Sequence, residues 1–323
     1  MAVDGRKGRI ARLVEFITST YAPGMHFGFA ALWFLSLLGG FVSLDETVDT
    51  WILDLKALLG ILTLFCTLFL LRAVDEIKDY DYDKVHHPDR PLVTGAVSRS
   101  DLVSYIAGTS ILLILMNGFL SWILLLIIMA DIGYGVFLVW LEKHSNRVKE
   151  WLFLNLVVTY PVNVALSVYT YFFFLERVGG RATDKGVSTI IAFAAAFLHW
   201  EFCRKTYWPH HAEEGMRLYS DIIGARGSSW MALALALVAT GTMIVLIEPW
   251  ACSGISALSG WLVLVPISFA LLGRKRFYEA KSQATCTRKA AVMVPFATYY
   301  LVLFYVTLIV HTAARKDVLF RVW

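Results

Sequence analysis

Residues 50–84 read TWILDLKALLGILTLFCTLFLLRAVDEIKDYDYDK, an apolar run that passes directly into an acidic one. The apolar part is long enough to cross the roughly 30 Å of bilayer hydrocarbon as a helix. Five carboxylates then follow within nine residues, at Asp75, Glu76, Asp79, Asp81 and Asp83. The stretch therefore predicts a membrane helix that ends in a carboxylate cluster at one membrane surface.

Similar apolar blocks recur along the whole chain. Hydrophobic residues make up 58% of the 323 residues and charged residues 17%, against about 45–50% and about 25% in soluble domains. This composition excludes a soluble enzyme, a disordered protein and a disulfide scaffold, and the net charge of +4 does not favour a nucleic-acid partner. We predict an all-α membrane protein, a single domain over residues 1–323, with about nine spans near 24–43, 50–71, 101–118, 121–141, 151–174, 187–203, 229–247, 255–273 and 292–312.

The basic residues are distributed unevenly between the two sides of such a bundle. Segments on the side of the N-terminus carry 22 Lys and Arg residues, whereas those on the opposite side carry 6. The positive-inside rule then predicts a cytoplasmic N-terminus. The long polar loops 72–100, 204–228 and 274–291 share that side, so we expect an active site that faces the cytoplasm. The basic start of the chain does not predict a removable signal peptide.

The four cysteines do not predict a metal or disulfide site. Cys66, Cys203, Cys252 and Cys286 form no CxxC pair. Their spacing is not that of a zinc site or of a disulfide framework.

The acidic run has a regular helical spacing. Glu76, Asp79 and Asp83 fall within about 60° of one another on a helix, and Asp75, Asp79 and Asp83 form an i, i+4, i+8 row, whereas Lys78 and Asp81 point elsewhere. Such a stripe repels itself unless it binds a cation, and Mg²⁺ is commonly bound by a few carboxylates together with substrate phosphates. A diphosphate would suit this site, since cationic side chains that could hold its other oxygens lie nearby: Arg72, Lys84, His86, His87 and Arg90. The alternative is a solvated, acidic helix end.

The segment that follows favours the metal site. Residues 90–95 read Arg90-Pro91-Leu92-Val93-Thr94-Gly95. With Asp75-Glu76-x-x-Asp79-x-x-x-Asp83, this resembles the NDxxDxxxD motif and the trailing Arg-Pro-Leu…Gly segment of the UbiA superfamily of intramembrane prenyltransferases. The resemblance implies a nine-helix fold, Mg²⁺ as cofactor, an isoprenyl diphosphate as substrate and a lipophilic or aromatic acceptor.

The second family motif is altered here. The family carries further aspartates after its sixth helix, but Lys205 stands where the first is expected and Trp208 near the second. Glu201 and Lys205 have the i, i+4 spacing of a salt bridge, which is their structural interpretation. The functional one gives Glu201 a catalytic and metal-binding role and makes Arg204 and Lys205 diphosphate ligands. Other carboxylates that could replace the missing aspartates are Glu213, Glu214 and Asp221.

Polar residues also occur inside two apolar spans. Asp131 lies within the fourth span, where an ionisable residue is a candidate for function or for a bond to a neighbouring helix. Asn155, Thr159 and Asn163 share one face of the fifth span and line either a cavity or a helix contact. Lys143, at the end of the fourth span, resembles a family position that contacts diphosphate.

The sequence therefore leaves four functions open, and prenyl transfer is the one that the resemblance implies. In that function Asp75, Asp79, Asp131 and Glu201 are the candidate catalytic residues. Mg²⁺ would be held by Asp75, Glu76, Asp79, Asp83 and Glu201, and the diphosphate by Arg72, Arg90, Lys143, Arg204 and Lys205. The altered second motif motivates a membrane terpene cyclase as the alternative. Phosphoribosyl transfer to a polyprenyl phosphate ranks lower, as does a transporter, because the charges cluster in loops and no inverted repeat is visible.

Overall fold

The computed structural model describes residues 8–282 and 292–321. Cys286 and the second half of the last polar loop, residues 283–291, lie outside the described residues. Within those ranges, nine helical segments are long and apolar enough to cross a membrane: Pro23–Leu44, Leu55–Lys78, Arg99–Leu120, Trp122–His144, Leu152–Val178, Asp184–Arg204, Tyr219–Ala251, Gly254–Glu279 and Val294–Arg315. The chain is an all-α, multi-pass membrane protein, as predicted. The cytoplasmic position of the N-terminus stays a prediction.

The described residues form two compact units. Unit one comprises residues 8–34 and 54–145, and unit two comprises residues 35–53, 146–282 and 292–321. The single domain over the whole chain stays a prediction. The helices up to residue 145 are α1 (Arg9–Phe16), α2 (Pro23–Leu44), α3 (Leu55–Lys78), α4 (Tyr80–His86), α5 (Pro91–Thr94), α6 (Arg99–Leu120) and α7 (Trp122–His144). Those that follow are α8 (Asn146–Glu150), α9 (Leu152–Thr159), α10 (Pro161–Val178), α11 (Asp184–Arg204), α12 (Tyr219–Ile247), α13 (Gly254–Trp261), α14 (Val265–Glu279) and α15 (Val294–Arg315).

In unit one, α6 and α7 form a tight hairpin beside α3. Ser121 alone separates the two helices, and its hydroxyl caps α7 by accepting from the backbone N–H groups of Ile123 and Leu124. The amide of Asn117 donates to the Thr63 hydroxyl of α3 over 3.2 Å. A buried polar contact of this kind fixes how the two helices are rotated, because an unpaired amide in an apolar interior is costly.

The N-terminal residues form an element that the sequence analysis did not identify. Helix α1 continues into a π-helical turn over Ile17–Tyr21. Arg12 donates to both carboxylate oxygens of Asp101 in the first turn of α6, over 2.8 and 2.9 Å. The same Asp101 forms a capping box with Ser98, so one carboxylate anchors α1 and starts α6.

In unit two, a short parallel sheet joins the chain before α3 to the chain after α15. Strand β1 (Thr50–Leu53) pairs with strand β2 (Asp317–Phe320), with Thr50 opposite Asp317. The second span was predicted over residues 50–71, and its start was wrong because TWIL is a strand rather than helix. The same span continues past residue 71 to Lys78.

Three other spans are interrupted, the eighth between α13 and α14. The fifth consists of α9 and α10, which are separated at Tyr160 because Pro161 has no N–H and begins a new helix. The seventh starts ten residues earlier than predicted, at Tyr219. It contains a kink at Gly224, whose φ of 73° favours glycine.

Candidate active site

The acidic run in unit one keeps a helical path across a break between two helices. Helix α3 ends at Lys78 and α4 begins at Tyr80. The Asp79 N–H still bonds to the Asp75 carbonyl, and the Asp83 N–H bonds to the Asp79 carbonyl, both over 2.8 Å. Since these are i to i−4 bonds, the three aspartates follow one another by one helical turn each.

Glu76 holds two arginines. Its side chain is only 1% exposed, and its Oε2 atom pairs with the Arg72 guanidinium and, at 3.9 Å, with Arg90. The other oxygen, Oε1, is buried and has no hydrogen-bond partner within the described residues, although the backbone N–H of Leu92 faces the carboxylate. Glu76 therefore places two guanidinium groups together and keeps one oxygen available for a further ligand.

The turn that follows α4 presents Arg90. The Arg90 N–H bonds to the His87 carbonyl over 3.1 Å, and the Val97 N–H bonds to the Pro91 carbonyl over 3.2 Å. Gly95 ends α5 with a φ of 81°, a conformation that side-chain-bearing residues rarely adopt. The Arg-Pro-Leu…Gly segment is thus a defined turn, and its first residue reaches Glu76.

Lys78 lies within the carboxylate cluster, contrary to the sequence analysis, which placed it elsewhere. Its Nζ atom is 3.3 Å from Asp75 Oδ1 and 3.5 Å from Oε1 of Glu142, near the end of α7. A lysine carries its charge on a long, flexible stem, so the direction of its Cβ did not predict where the ammonium lies. Glu142 is a cluster member that the sequence analysis missed. The neighbouring Lys143 is exposed at the end of the same helix.

The surroundings of Asp79 raise the pKa of its carboxyl group. Burial is the largest effect that raises the pKa of Asp79, to about 6, and the nearby Lys78 lowers it. Asp75, Asp83 and Glu142 raise the pKa of Asp79 further through their charges. A carboxylate that resists ionisation because it is buried and because other carboxylates surround it is stabilised by an added cation.

The donor set fits Mg²⁺ only if substrate completes the coordination. Within the described residues no three His, Cys, Asp or Glu side chains already form a metal-binding group. The available donors are nevertheless all carboxylate oxygens, among them the unpaired Oε1 of Glu76. Mg²⁺ is usually bound by one or two carboxylates, several waters and substrate phosphates, which agrees with such a partial set.

A second charged group lies in unit two, at the end of α11. Glu201 accepts from Nε and Nη2 of Arg204 over 2.7–3.0 Å, and its Oε1 lies 2.9 Å from Lys205 Nζ. Both oxygens of this carboxylate are engaged by cations. The role of Glu201 as a metal ligand stays a prediction, and it would require these ion pairs to open.

The loop after α11 is fixed by aromatic residues. The indole N–H of Trp208 donates to the Phe277 carbonyl over 2.7 Å, and the two rings stack with centroids 4.8 Å apart. The Lys205 ammonium lies 5.3 Å from the centre of the Tyr219 ring. Trp208, which replaces an expected metal ligand, therefore has a packing role. The possible replacement ligands Glu214 and Asp221 are exposed.

The polar residues inside the spans differ in their surroundings. Asp131 is buried in α7, and its Oδ1 atom has no hydrogen-bond partner within the described residues. In α9, the Thr159 hydroxyl donates to the Asn155 carbonyl of its own helix over 2.8 Å. Asn163 lies beyond the break at Tyr160, so the face predicted to run through these three residues crosses two helices.

Two solved structures resemble this fold. A structure of digeranylgeranylglyceryl phosphate synthase shares 14% identity with the chain, at a TM-score of 0.61, and the match covers 94% of this chain and 98% of that one. The apo structure of a UbiA homologue from Aeropyrum pernix K1 shares 15% identity at a TM-score of 0.55, over 90% of this chain and 96% of that one. No protein-family model and no curated protein matches the chain by sequence. The chain therefore has the UbiA-type fold that its first aspartate motif predicted.

Proposed function

We propose that the chain is an intramembrane prenyltransferase of the UbiA type, which ionises an allylic isoprenyl diphosphate and transfers the prenyl group to a lipophilic or aromatic acceptor. The observation that supports this most directly is the arrangement around Glu76. Two arginines, Arg72 of α3 and Arg90 of the turn after α4, lie together beside an unpaired oxygen of Glu76, whose helix leads into Asp79 and Asp83. A diphosphate with a bound divalent cation presents the complementary charges.

In this proposal each group in unit one has a distinct task. Arg72 and Arg90 bind the diphosphate oxygens directly, because guanidinium groups match phosphate geometry. Mg²⁺ would be held by Asp75, Asp79, Asp83 and the free oxygen of Glu76, and it supplies charge neutralisation when bound. Lys78 limits the repulsion among the carboxylates, since it pairs with Asp75 and Glu142.

The chemical step balances without a redox partner. The bond between the allylic carbon and the diphosphate oxygen breaks, and its electron pair leaves with the diphosphate. The acceptor then forms the new bond to the allylic carbon and loses a proton, which passes to the released diphosphate. Stabilisation of the developing negative charge on the leaving group is the main contribution that this protein site can make.

Outside this cluster, Lys143, Arg204 and Lys205 stay proposed phosphate ligands. Arg204 and Lys205 are held side by side by Glu201, in the way that Arg72 and Arg90 are held by Glu76. Their contribution is tested separately, by the effect of Arg204→Ala and Lys205→Ala on the KM for the diphosphate.

The test uses purified protein in detergent with Mg²⁺ and labelled geranyl, farnesyl and geranylgeranyl diphosphates. Products are analysed by mass spectrometry, first without and then with membrane lipid extract and aromatic acceptors. We expect prenylated acceptor from the wild type and none from Asp79→Ala. Asp81→Ala is the matched control, because the Asp81 side chain is 84% exposed and pairs with Lys84.

Each other outcome has a defined meaning. A cyclic product formed without acceptor, and lost in Asp79→Ala, would identify a terpene cyclase instead. Substrate that stays intact under all conditions would contradict isoprenyl diphosphate chemistry. Ion flux that depends on Asp79 while diphosphate turnover does not would support a transporter.

A further inference from the structure

The buried side of α7 forms a continuous stripe in unit one. Its members are Leu124, Ile128, Asp131, Gly135 and Leu138, spaced three or four residues apart. The next position on this face is Glu142, which contacts Lys78 of the carboxylate cluster. At 1.5 Å per residue, Gly135 lies about 10 Å and Asp131 about 16 Å along the helix from Glu142.

Gly135 borders open space although it is buried. A Cβ atom added to Gly135 would have no heavy atom of another element within 4 Å. Gly60 of α3 shows the usual situation, because a Cβ there would lie 2.3 Å from the Phe34 ring. Protein interiors leave few voids of this kind, so open space on a buried helix face indicates room for a ligand.

Asp131 lies one turn beyond this space. Its residue is 7% exposed, and its Oδ1 atom has no hydrogen-bond partner within the described residues. A hydrocarbon chain lying against an unpaired carboxyl group cannot satisfy it and keeps water from doing so. A hydrocarbon chain that lies along α7 is therefore in favourable surroundings as far as Gly135 and in unfavourable ones at Asp131.

Resting on the proposed function, we propose that Gly135 and Asp131 determine the length of the isoprenyl chain that the enzyme accepts. The diphosphate lies at the Glu142 end of α7. The chain passes Gly135 through the open space, and its end stops before Asp131. Gly135 and Asp131 are specificity-determining residues in this assignment, and Asp131 lies too far along the helix to take part in bond cleavage at the diphosphate.

The test compares the apparent Kd values of geranyl, farnesyl and geranylgeranyl diphosphates in Mg²⁺, measured by ligand-induced thermal stabilisation, which needs no acceptor. Gly135→Leu fills the space and should shift the preference toward shorter donors by roughly tenfold or more. Asp131→Ala removes the polar stop and should shift it toward longer donors, whereas Asp131→Asn keeps a polar group and should not. Gly135→Ala, which adds one methyl group to open space, replaces Gly135→Leu if the larger variant does not fold.

Gly133→Leu is the matched control, since Gly133 lies two residues away on the exposed side of α7. Its donor preference should equal that of the wild type. An equal loss of affinity for all three donors in Gly135→Leu, or the same shift in Gly133→Leu, would overturn the assignment while the proposed function stands. A wild type that binds none of the donors would overturn the proposed function and this assignment with it.

Discussion

Glu76 in unit one and Glu201 in unit two are both buried glutamates that hold two cations, yet they leave their surroundings in different states. Glu76 uses one oxygen for Arg72 and Arg90 and leaves the other unpaired. Glu201 engages both oxygens with Arg204 and Lys205. Asp75 precedes Glu76 and Asp79 and Asp83 follow it along the chain, whereas the residues that follow Glu201 are mainly basic and aromatic.

This difference distinguishes a buried carboxylate in a structural salt bridge from one in a candidate metal site. At Glu201 the charges are mutually satisfied, so the group is stable without a ligand. Around Glu76 and Asp79 the carboxylates repel one another, and one oxygen lacks a partner. The arrangement at Glu201 is electrostatically satisfied without a ligand, whereas the one around Glu76 and Asp79 becomes favourable when a cation is added.

The largest expected effect is the loss of activity in Asp79→Ala. Asp79 lies at the centre of the repelling carboxylates, so its removal should weaken the metal site most. We expect turnover of the isoprenyl diphosphate to fall by about 10²–10³-fold, measured as product formed at saturating Mg²⁺. Asp81→Ala should retain wild-type turnover, and an equal loss in both variants would show that the effect is not specific to the cluster.

The matched substitutions Glu76→Gln and Glu201→Gln test whether the two glutamates differ in metal binding. Glu76→Gln removes the negative charge beside the metal site and leaves Arg72 and Arg90 to repel the cation. The Mg²⁺ concentration for half-maximal turnover should rise by about tenfold. Glu201→Gln should leave it unchanged, because both oxygens of Glu201 already serve Arg204 and Lys205. An equal rise in both variants would instead identify Glu201 as a metal ligand.

The long apolar blocks of the sequence predicted the nine membrane spans, but not where each helix begins and ends. Residues 50–53 are apolar and contiguous with the second span, and their pairing with residues 317–320 depends on a contact that no local pattern reveals. The helix also continues past Arg72, where the apolar pattern ends, because its backbone bonds carry on through the acidic run.

The candidate site was predictable to the extent that it is local. Asp75, Asp79 and Asp83 are four residues apart, so helix geometry alone predicts that they share one face. The contact between Lys78 and Glu142 joins two helices. Both side chains are long, so from the sequence alone each could contact other partners equally well. Which of the three consecutive polar residues Glu142, Lys143 and His144 would reach the cluster therefore could not be decided without the packing of α7.

The pKa of Asp79 predicts a pH dependence of metal binding. Because this pKa is raised to about 6, mainly by burial, Asp79 is protonated below that pH in the metal-free protein, and the proton competes with Mg²⁺. The Mg²⁺ requirement should rise as the pH falls from 7 to 5, by at most about tenfold per unit for one displaced proton. In Asp79→Asn this pH dependence should disappear, and its persistence would assign it to another group.

The same raised pKa fixes the sign of a stability effect. A carboxyl group whose folded-state pKa exceeds its unfolded value contributes stability below the unfolded pKa and loses that contribution as the pH rises through the folded one. Without Mg²⁺, thermal stability should therefore decrease between about pH 4 and pH 6 through Asp79, and added Mg²⁺ should offset the decrease at pH 7. Thermal unfolding of wild type and Asp79→Asn in detergent measures this difference.

The smallest expected effect concerns the pair in unit two. The Arg204 side chain is 48% exposed, against 20% for Arg72, so water and salt screen the Glu201–Arg204 pair more strongly. A double-mutant cycle with Glu201→Gln and Arg204→Gln should give a coupling free energy of about 1 kcal/mol or less, decreasing with added salt. A coupling of several kcal/mol that does not respond to salt would mean that the pair is as desolvated as the one at Glu76. The two glutamates would then differ in the carboxylates around them and in the unpaired oxygen of Glu76, and these two features would distinguish a metal site from a structural salt bridge.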